Sequence, residues 1–193
     1  MIKQVSVYCA SSSQVHRSYK EEAFRLGEIM ADAGITVKFG SGSVGLMGEL
    51  AKGVLSKGGE IVGVIPQFMV DEGWGNDTVT RQVVTETMHE RKQIMLENVD
   101  AAIALPGGCG TLEELLEVIT WKQLGLFTRP IIIVNIDHFY DGLLALMKNA
   151  ISERFMREEH LDLWCVVDSV EEVLPAIKTA PLGRRDARKY AAI

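Results

Sequence analysis

Two glycine-rich stretches carry most of the chemistry this chain can offer. Gly40-Ser41-Gly42-Ser43-Val44-Gly45-Leu46-Met47-Gly48 and Pro106-Gly107-Gly108-Cys109-Gly110-Thr111 each follow an apolar run and open an amphipathic one. A loop so placed presents unpaired backbone N–H groups at a helix N-terminus, which is a ready anion site. Glycine lets a phosphate approach the backbone and permits positive φ. Two such loops at one sheet edge suit a nucleotide monophosphate; singly, each is equally explained as a turn that reverses the chain. Gly40, Gly42 and Gly45 satisfy Gly-x-Gly-x-x-Gly formally, but the loop follows the second strand and Glu60 begins the next strand instead of ending it. A dinucleotide site wants the first βα turn and an acid at the following strand's end. The loops also lack a Walker lysine, so NAD and ATP are both disfavoured.

Two helical stretches are interrupted by charge. In 111–124, Leu112, Leu115, Leu116 and Ile119 form the expected buried stripe, while Glu113, Glu117 and Thr120 mark the polar side. At about 100° per residue, Glu114 instead shares a stripe with Val118 and Trp121. That predicts a partly desolvated carboxylate beside the second glycine loop. An acid serving the helix dipole is the competing explanation, and it accounts for Glu113 as well. In 88–98, Met88, Met95 and Val99 mark an inward face with Arg91 and Lys92 between them. Two adjacent cations there want an anion; snorkelling surface bases are the plainer alternative.

The elements that must hold these groups alternate regularly. Strands are expected at 5–9, 35–39, 60–65, 101–105, 130–136 and 164–167, with a short apolar piece at 82–85. Helices are expected at 18–33, 45–56, 88–98, 111–124, 139–150 and 170–177. Strands apolar on both faces, such as Ile131-Ile132-Ile133-Val134, belong to a parallel sheet covered by helices. The fold class is α/β: a Rossmann-like, doubly wound, mainly parallel sheet with helices on both faces. Its ligands should sit outside the carboxyl ends of the strands.

Composition sets the outer limits. A chain of 193 residues, 47% hydrophobic and 24% charged, suits one nucleotide-binding domain, here 1–180. The end, 181–193, carries Arg184, Arg185, Arg188 and Lys189 against Asp186 and reads as a solvated, mobile basic tail. A net charge of −6 argues against a nucleic-acid partner. No apolar run is long enough for a membrane span, and the N-terminus reads as a strand rather than a leader. Cys9, Cys109 and Cys165 show no CxxC spacing and the four histidines no HxxxH pair. That suits a cytoplasmic protein without a metal site.

Gly40–Gly48, Met88-His89-Glu90-Arg91-Lys92 and residues 106–114 together resemble the LONELY GUY (LOG) family. Its hallmark PGGxGTxxE is matched at every fixed position from Pro106 to Glu114, and Leu115-Leu116-Glu117-Val118-Ile119-Thr120-Trp121-x-Gln123-Leu124-Gly125 is also typical. The likeness runs from Val7-Tyr8-Cys9 to about Val170. An older label for such proteins, lysine decarboxylase, is rejected because no pyridoxal-phosphate lysine motif is recognisable. The resemblance implies a phosphoribohydrolase that cleaves the N-glycosidic bond of AMP or N6-modified adenosine 5′-monophosphates (cytokinin nucleotides). The products are free base and ribose 5-phosphate, with no metal or cofactor. It implies Arg91 and Glu114 as the catalytic pair. Lys92, Gly107, Gly108, Cys109, Gly110, Thr111, Leu112, Glu113 and Thr120, with Gly42 and Gly45 of the first loop, would bind substrate. It also implies a homodimer, which the apolar surface around Trp121 and Leu124 supports. Ser41 and Ala10 stand where many members have glycine. The segment 71–79, with Trp74, fits the family poorly; the resemblance implies that it approaches the base, so it leaves base preference open, and Glu72 would be its usual acidic contact. A non-catalytic carrier of a nucleotide or phosphorylated pterin cofactor is the alternative on the same fold, with an oxidoreductase a distant third.

Overall fold

A strand whose side chains are apolar on both faces needs cover on both faces, and this requirement organises the molecule. In the computed structural model, which describes residues 1–184, seven strands form one sheet. They are β1 (Gln4–Tyr8), β2 (Thr36–Phe39), β3 (Ile61–Pro66), β4 (Arg81–Thr85), β5 (Ala101–Ala104), β6 (Ile131–Val134) and β7 (Cys165–Val167). Their order is β4-β3-β2-β1-β5-β6-β7, with every pairing parallel. All residues of β3, β5 and β6 are buried. The short apolar piece at 82–85 is the edge strand β4, half-exposed on its solvent side.

Among the described residues there are seven α-helices: α1 (Arg17–Asp32), α2 (Gly45–Ser56), α3 (Gln67–Asp71), α4 (Met88–Leu96), α5 (Cys109–Gln123), α6 (Asp141–Ser152) and α7 (Val173–Thr179). Leu26 and Met30 of α1, Leu50 and Val54 of α2, and Val173 and Ile177 of α7 join one core. Met95 of α4, Leu115 and Val118 of α5, and Met147 of α6 join the other. The sheet is therefore doubly wound. From β1 the chain runs outward to β4, then returns to place β5 on the other side of β1. The β1–β5 seam is the topological switch point, where open α/β sheets bind ligands.

Some expectations need correction. The buried face of α5 comprises Thr111, Glu114, Leu115, Val118, Ile119 and Lys122. Leu116, expected inside, is 43% exposed, and Lys122 fills the inward position instead, 2% exposed. Helix α5 also starts at Cys109, two residues before the expected position, because Gly108 is its N-cap. The five-residue α3 was not anticipated from the sequence; it buries no residue, so it leaves no periodic signal. The start of the expected tail is tied down at residues 181 and 183. Lys122 Nζ donates to Pro181 O at 3.0 Å, and Gly183 N donates to Thr128 O at 2.9 Å. The rest of the basic tail, 185–193, lies outside the described residues.

Candidate active site

Loops at the C-terminal ends of β1, β2, β3 and β5 border a cavity of about 700 Å³. Polar groups come from the β1 and β5 side: Ser11, Ser12 and the run Gly108, Cys109, Gly110 and Thr111. Apolar groups come from the β3 side: Ile65, Met69, Trp74 and, from the start of α4, Met88. Gly40, Gly42, Ser43 and Met47 of the first glycine loop lie between. With β2 separating β1 from β3, the two sides are roughly 10 Å apart at ordinary strand spacing. The cavity is thus anion-friendly on one flank and apolar on the other.

Arg91 and Glu114 form the charged wall. Their NH1 and Oε1 atoms lie 3.1 Å apart, with each side chain 7% exposed. Arg91 Nε donates to Val64 O at 3.1 Å, which fixes the guanidinium plane against β3. A Cβ at Gly40 would meet that guanidinium, so a larger residue there would displace the Arg91 head group. The Arg91–Glu114 contact is ionic rather than an aligned hydrogen bond, because Glu114 Oε1 accepts none. A buried carboxylate oxygen without a donor is costly and open to a ligand hydroxyl or water. Burial pushes the Glu114 carboxyl up to about 7, against the opposing pull of Arg91. Beneath it, burial together with the Glu114 charge drives the Tyr8 phenol well above its ordinary range.

Helix α4 is moored so that Arg91 cannot drift. Thr87 caps its start by accepting from Glu90 N at 3.1 Å, and Glu90 reaches back to Glu86 N at 2.8 Å. Lys38 of β2, itself buried, closes the other end by donating to Ile94 O at 3.0 Å and Glu97 O at 2.7 Å. Lys92 sits on the outer flank and binds Glu113 and Glu117 of α5. Burial alone would lower the Lys92 amine, but its hydrogen bonds to Glu113 and Glu117 outweigh that and raise it.

The anion flank is the N-terminus of α5. The first amides of the helix, at Cys109, Gly110 and Thr111, have no intrahelical acceptor, and Gly108 supplies no side-chain cap in its place. The first glycine loop is more occupied. Met47 N donates to Ala10 O at 3.1 Å, and Gly45, at φ 63°, is wedged against the backbone of residues 10–12.

The structure therefore brings together Gly42, Arg91, Gly108, Cys109, Gly110, Thr111 and Glu114 in one cleft. Gly45 and Gly107 lie behind it, the latter under the Thr111 side chain. Lys92, Leu112, Glu113 and Thr120 do not line it, and Thr120 is exposed, bonded back to Leu116 O. Glu72 is exposed and also outside. Sequence reading missed Ser11, Ser12, Met47, Met69 and Met88. The serine run after the first strand, at a switch point, was the available signal for two of them.

Residues 47–177 match the family described as possible lysine decarboxylase. Over 180 residues the chain is 39% identical to a probable cytokinin riboside 5′-monophosphate phosphoribohydrolase of Oryza sativa subsp. japonica (LOGL9), spanning 90% of this chain and 79% of that protein. It is 40% identical over 154 residues to the cytokinin riboside 5′-monophosphate phosphoribohydrolase LOG2 of Arabidopsis thaliana, spanning 80% and 72%. For LOG3 of the same plant the figures are 36% over 188 residues, 97% and 87%.

The chain belongs to the LOG family.

Among solved structures, the LOG-family chain shares its fold with the molybdenum cofactor carrier protein of Chlamydomonas reinhardtii, at TM-score 0.69, 21% identity, and coverage of 93% and 98%. The molybdenum cofactor binding protein of Rippkaea orientalis gives TM-score 0.70, 22% identity, and coverage of 93% and 97%. No lysine lines the LOG-family cleft among the described residues. The amine that a pyridoxal-phosphate decarboxylase needs for its Schiff base is not there, so the residues present do not fit the decarboxylase description.

Proposed function

We propose that this LOG-family chain hydrolyses the N-glycosidic bond of AMP or of N6-modified adenosine 5′-monophosphates. Water adds at C1′, and the base leaves with a proton, giving ribose 5-phosphate. The observation that carries this reading is the buried Arg91–Glu114 ion pair, in which Glu114 Oε1 accepts no hydrogen bond, beside the N-terminal amides of α5. The 5′-phosphate takes the amides of Cys109, Gly110 and Thr111, with the Ser11 and Ser12 hydroxyls as further donors. That remote handle supplies orientation at C1′. As the bond breaks, positive charge grows on the ribose, as in other glycoside hydrolyses, and the Glu114 carboxylate opposes it. Arg91 favours the ionised form of Glu114, and its remaining N–H groups serve as donors on the same wall. Lys92, Glu113 and Glu117 brace α4 against α5, so they act through Arg91 and Glu114.

The same reading makes the protein a cytoplasmic homodimer. Leu116 and Leu126, 43% and 55% exposed, offer apolar surface on the α5 side, while Trp121 and Leu124 are half-buried. The three cysteines are free, which suits a reducing compartment. No helix among the described residues is long and apolar enough to cross a membrane.

The deciding experiment incubates the protein with AMP and N6-isopentenyl AMP and follows free base and ribose 5-phosphate together. Stoichiometric release of both supports the reading. Saturable AMP binding without release would move the carrier reading ahead. Light scattering at micromolar concentration tests the dimer, and a monomer there counts against it.

A further inference from the structure

Trp74 is the largest side chain of the apolar flank and is 55% exposed, though it lines the cleft beside Met69. An indole left half in water at the edge of a cavity is surface awaiting a partner. Its backbone is not loose. After α3 the chain turns at Gly73, φ 73°, and Gly75 pairs with Gly42 in an isolated antiparallel bridge. The next residue, Asn76, is buried. Its Nδ2 donates to Gly42 O at 3.4 Å, and its Oδ1 accepts from Thr78 N at 3.0 Å and Thr78 Oγ1 at 2.6 Å. The strap 73–76 is thus stitched to the first glycine loop, and Trp74 is held opposite the polar flank where α5 begins.

We infer that Trp74 reads the base, stacking its indole face on the heteroaromatic ring of a nucleotide whose phosphate lies at α5. This rests on the nucleotide reading above and adds to it the residue that selects for the base. Base–aromatic stacking works for any flat ring, because each base has a π face. Met69, Ile65 and Met88 continue the wall beyond the indole with adaptable apolar surface. The site therefore accepts a planar base and an apolar extension of it, and Trp74 separates nucleotides from sugar phosphates that have no base.

The test compares wild type with Trp74→Ala, Trp74→Leu and Trp74→Phe, using AMP and ribose 5-phosphate as probes. Trp74→Ala and Trp74→Leu should raise the Kd and KM for AMP at least about tenfold, with kcat altered much less. Their affinity for ribose 5-phosphate should match wild type, and Trp74→Phe should recover most of the AMP affinity. The leucine variant keeps apolar cover if the alanine variant does not fold. AMP should quench tryptophan fluorescence in wild type, and the Phe variant should lose that quench, leaving Trp121 and Trp164 silent. Unchanged AMP affinity in the leucine variant, or an equal loss for both probes, overturns the assignment. Failure of the hydrolase reading looks different: wild type would release no base, while AMP binding would still depend on Trp74.

Discussion

Arg91 leaves α4 and Glu114 leaves α5, and their charged groups meet 3.1 Å apart in a wall where each side chain is 7% exposed. Neither helix needs that pair for its own cores, which are built from Met95, Leu115 and Val118. Exchange of a buried ion pair for apolar residues is often neutral or stabilising. A pair kept in the wall of a cavity of about 700 Å³, with a carboxylate oxygen that accepts no hydrogen bond, is better explained by chemistry than by stability.

Replacement of either partner should therefore separate turnover from folding. Glu114→Gln and Arg91→Ala are each expected to keep the fold and lose at least roughly a hundredfold in kcat, the low end for a positioned acid–base or electrostatic group. Glu113→Gln is the control, because Glu113 faces Lys92 outside the cleft and should cost less than about tenfold. Steady-state AMP hydrolysis per folded molecule checks all three; near-normal turnover in Glu114→Gln would remove the carboxylate from the mechanism.

The same carboxyl sets a pH dependence. Burial raises Glu114 to about 7, so the ionised form needed to oppose ribose charge is lost below that pH. kcat/KM should fall on the acid side with a midpoint near 7, and Glu114→Gln should lack this limb. Stability runs the opposite way. The raised carboxyl contributes fully below the ordinary value of 4.5, and that contribution is lost as pH rises through about 7. Thermal melts of Glu114→Gln at pH 8 should therefore lie above wild type. An acid limb near 4.5 would show that the carboxyl titrates as an exposed one.

Phosphate should be a requirement rather than a preference. The amides of Cys109, Gly110 and Thr111 have no intrahelical acceptor, and only a phosphorylated substrate uses them. AMP is expected to exceed adenosine by at least about a hundredfold in kcat/KM, the worth of roughly two charge-assisted hydrogen bonds. Equal turnover of the two would sink the phosphate handle.

Most of the fold was legible, for a physical reason. Buried parallel strands leave unbroken runs such as Ile131-Ile132-Ile133-Val134, and the glycine loops after β2 and β5 mark the starts of α2 and α5. The error in α5 has an equally specific cause. Lys122 is an inward cation in a stripe read by apolarity, and Leu116 is an apolar residue on the outside. Arg91, Lys92 and Glu114 were visible because each interrupts an apolar face. The segment carrying Trp74 was expected near the base, but the placement of the indole was not legible, since a strap tied by one isolated bridge and one asparagine leaves no periodicity to read.

Ser41 illustrates a local cost. It adopts φ 62°, is fully buried, and its Oγ has no partner. Ser41→Gly should stabilise the protein by about 1 kcal/mol, since glycine takes that conformation freely and removes an unpaired hydroxyl. Chemical denaturation checks it; a loss of stability would show that the hydroxyl has a structural role.

Lys122 gives a second pH signature. Burial lowers its amine to about 8, so the folded state favours the neutral form. Between about 8 and the ordinary 10.5 the unfolded chain holds more protons at this site, and the stability contribution of Lys122 grows with pH. Lys122→Met should be the more stable protein at pH 7, with its advantage shrinking across that interval. Paired melts at pH 7 and 10 measure it; an advantage that widened with pH would contradict the sign.

The strand order has a consequence for assembly in time. Of the seven strands described, β1 precedes the others in the chain, yet its partner across the seam, β5, comes only after the whole β2–β4 half of the sheet. Ser11 and Ser12 therefore wait beside an open edge until residues about a hundred positions later arrive with the α5 amides. A growing or refolding chain lacks the proposed phosphate site until that late docking closes the seam, so a ligand bound there would stabilise only the finished protein and could not guide the early steps toward it.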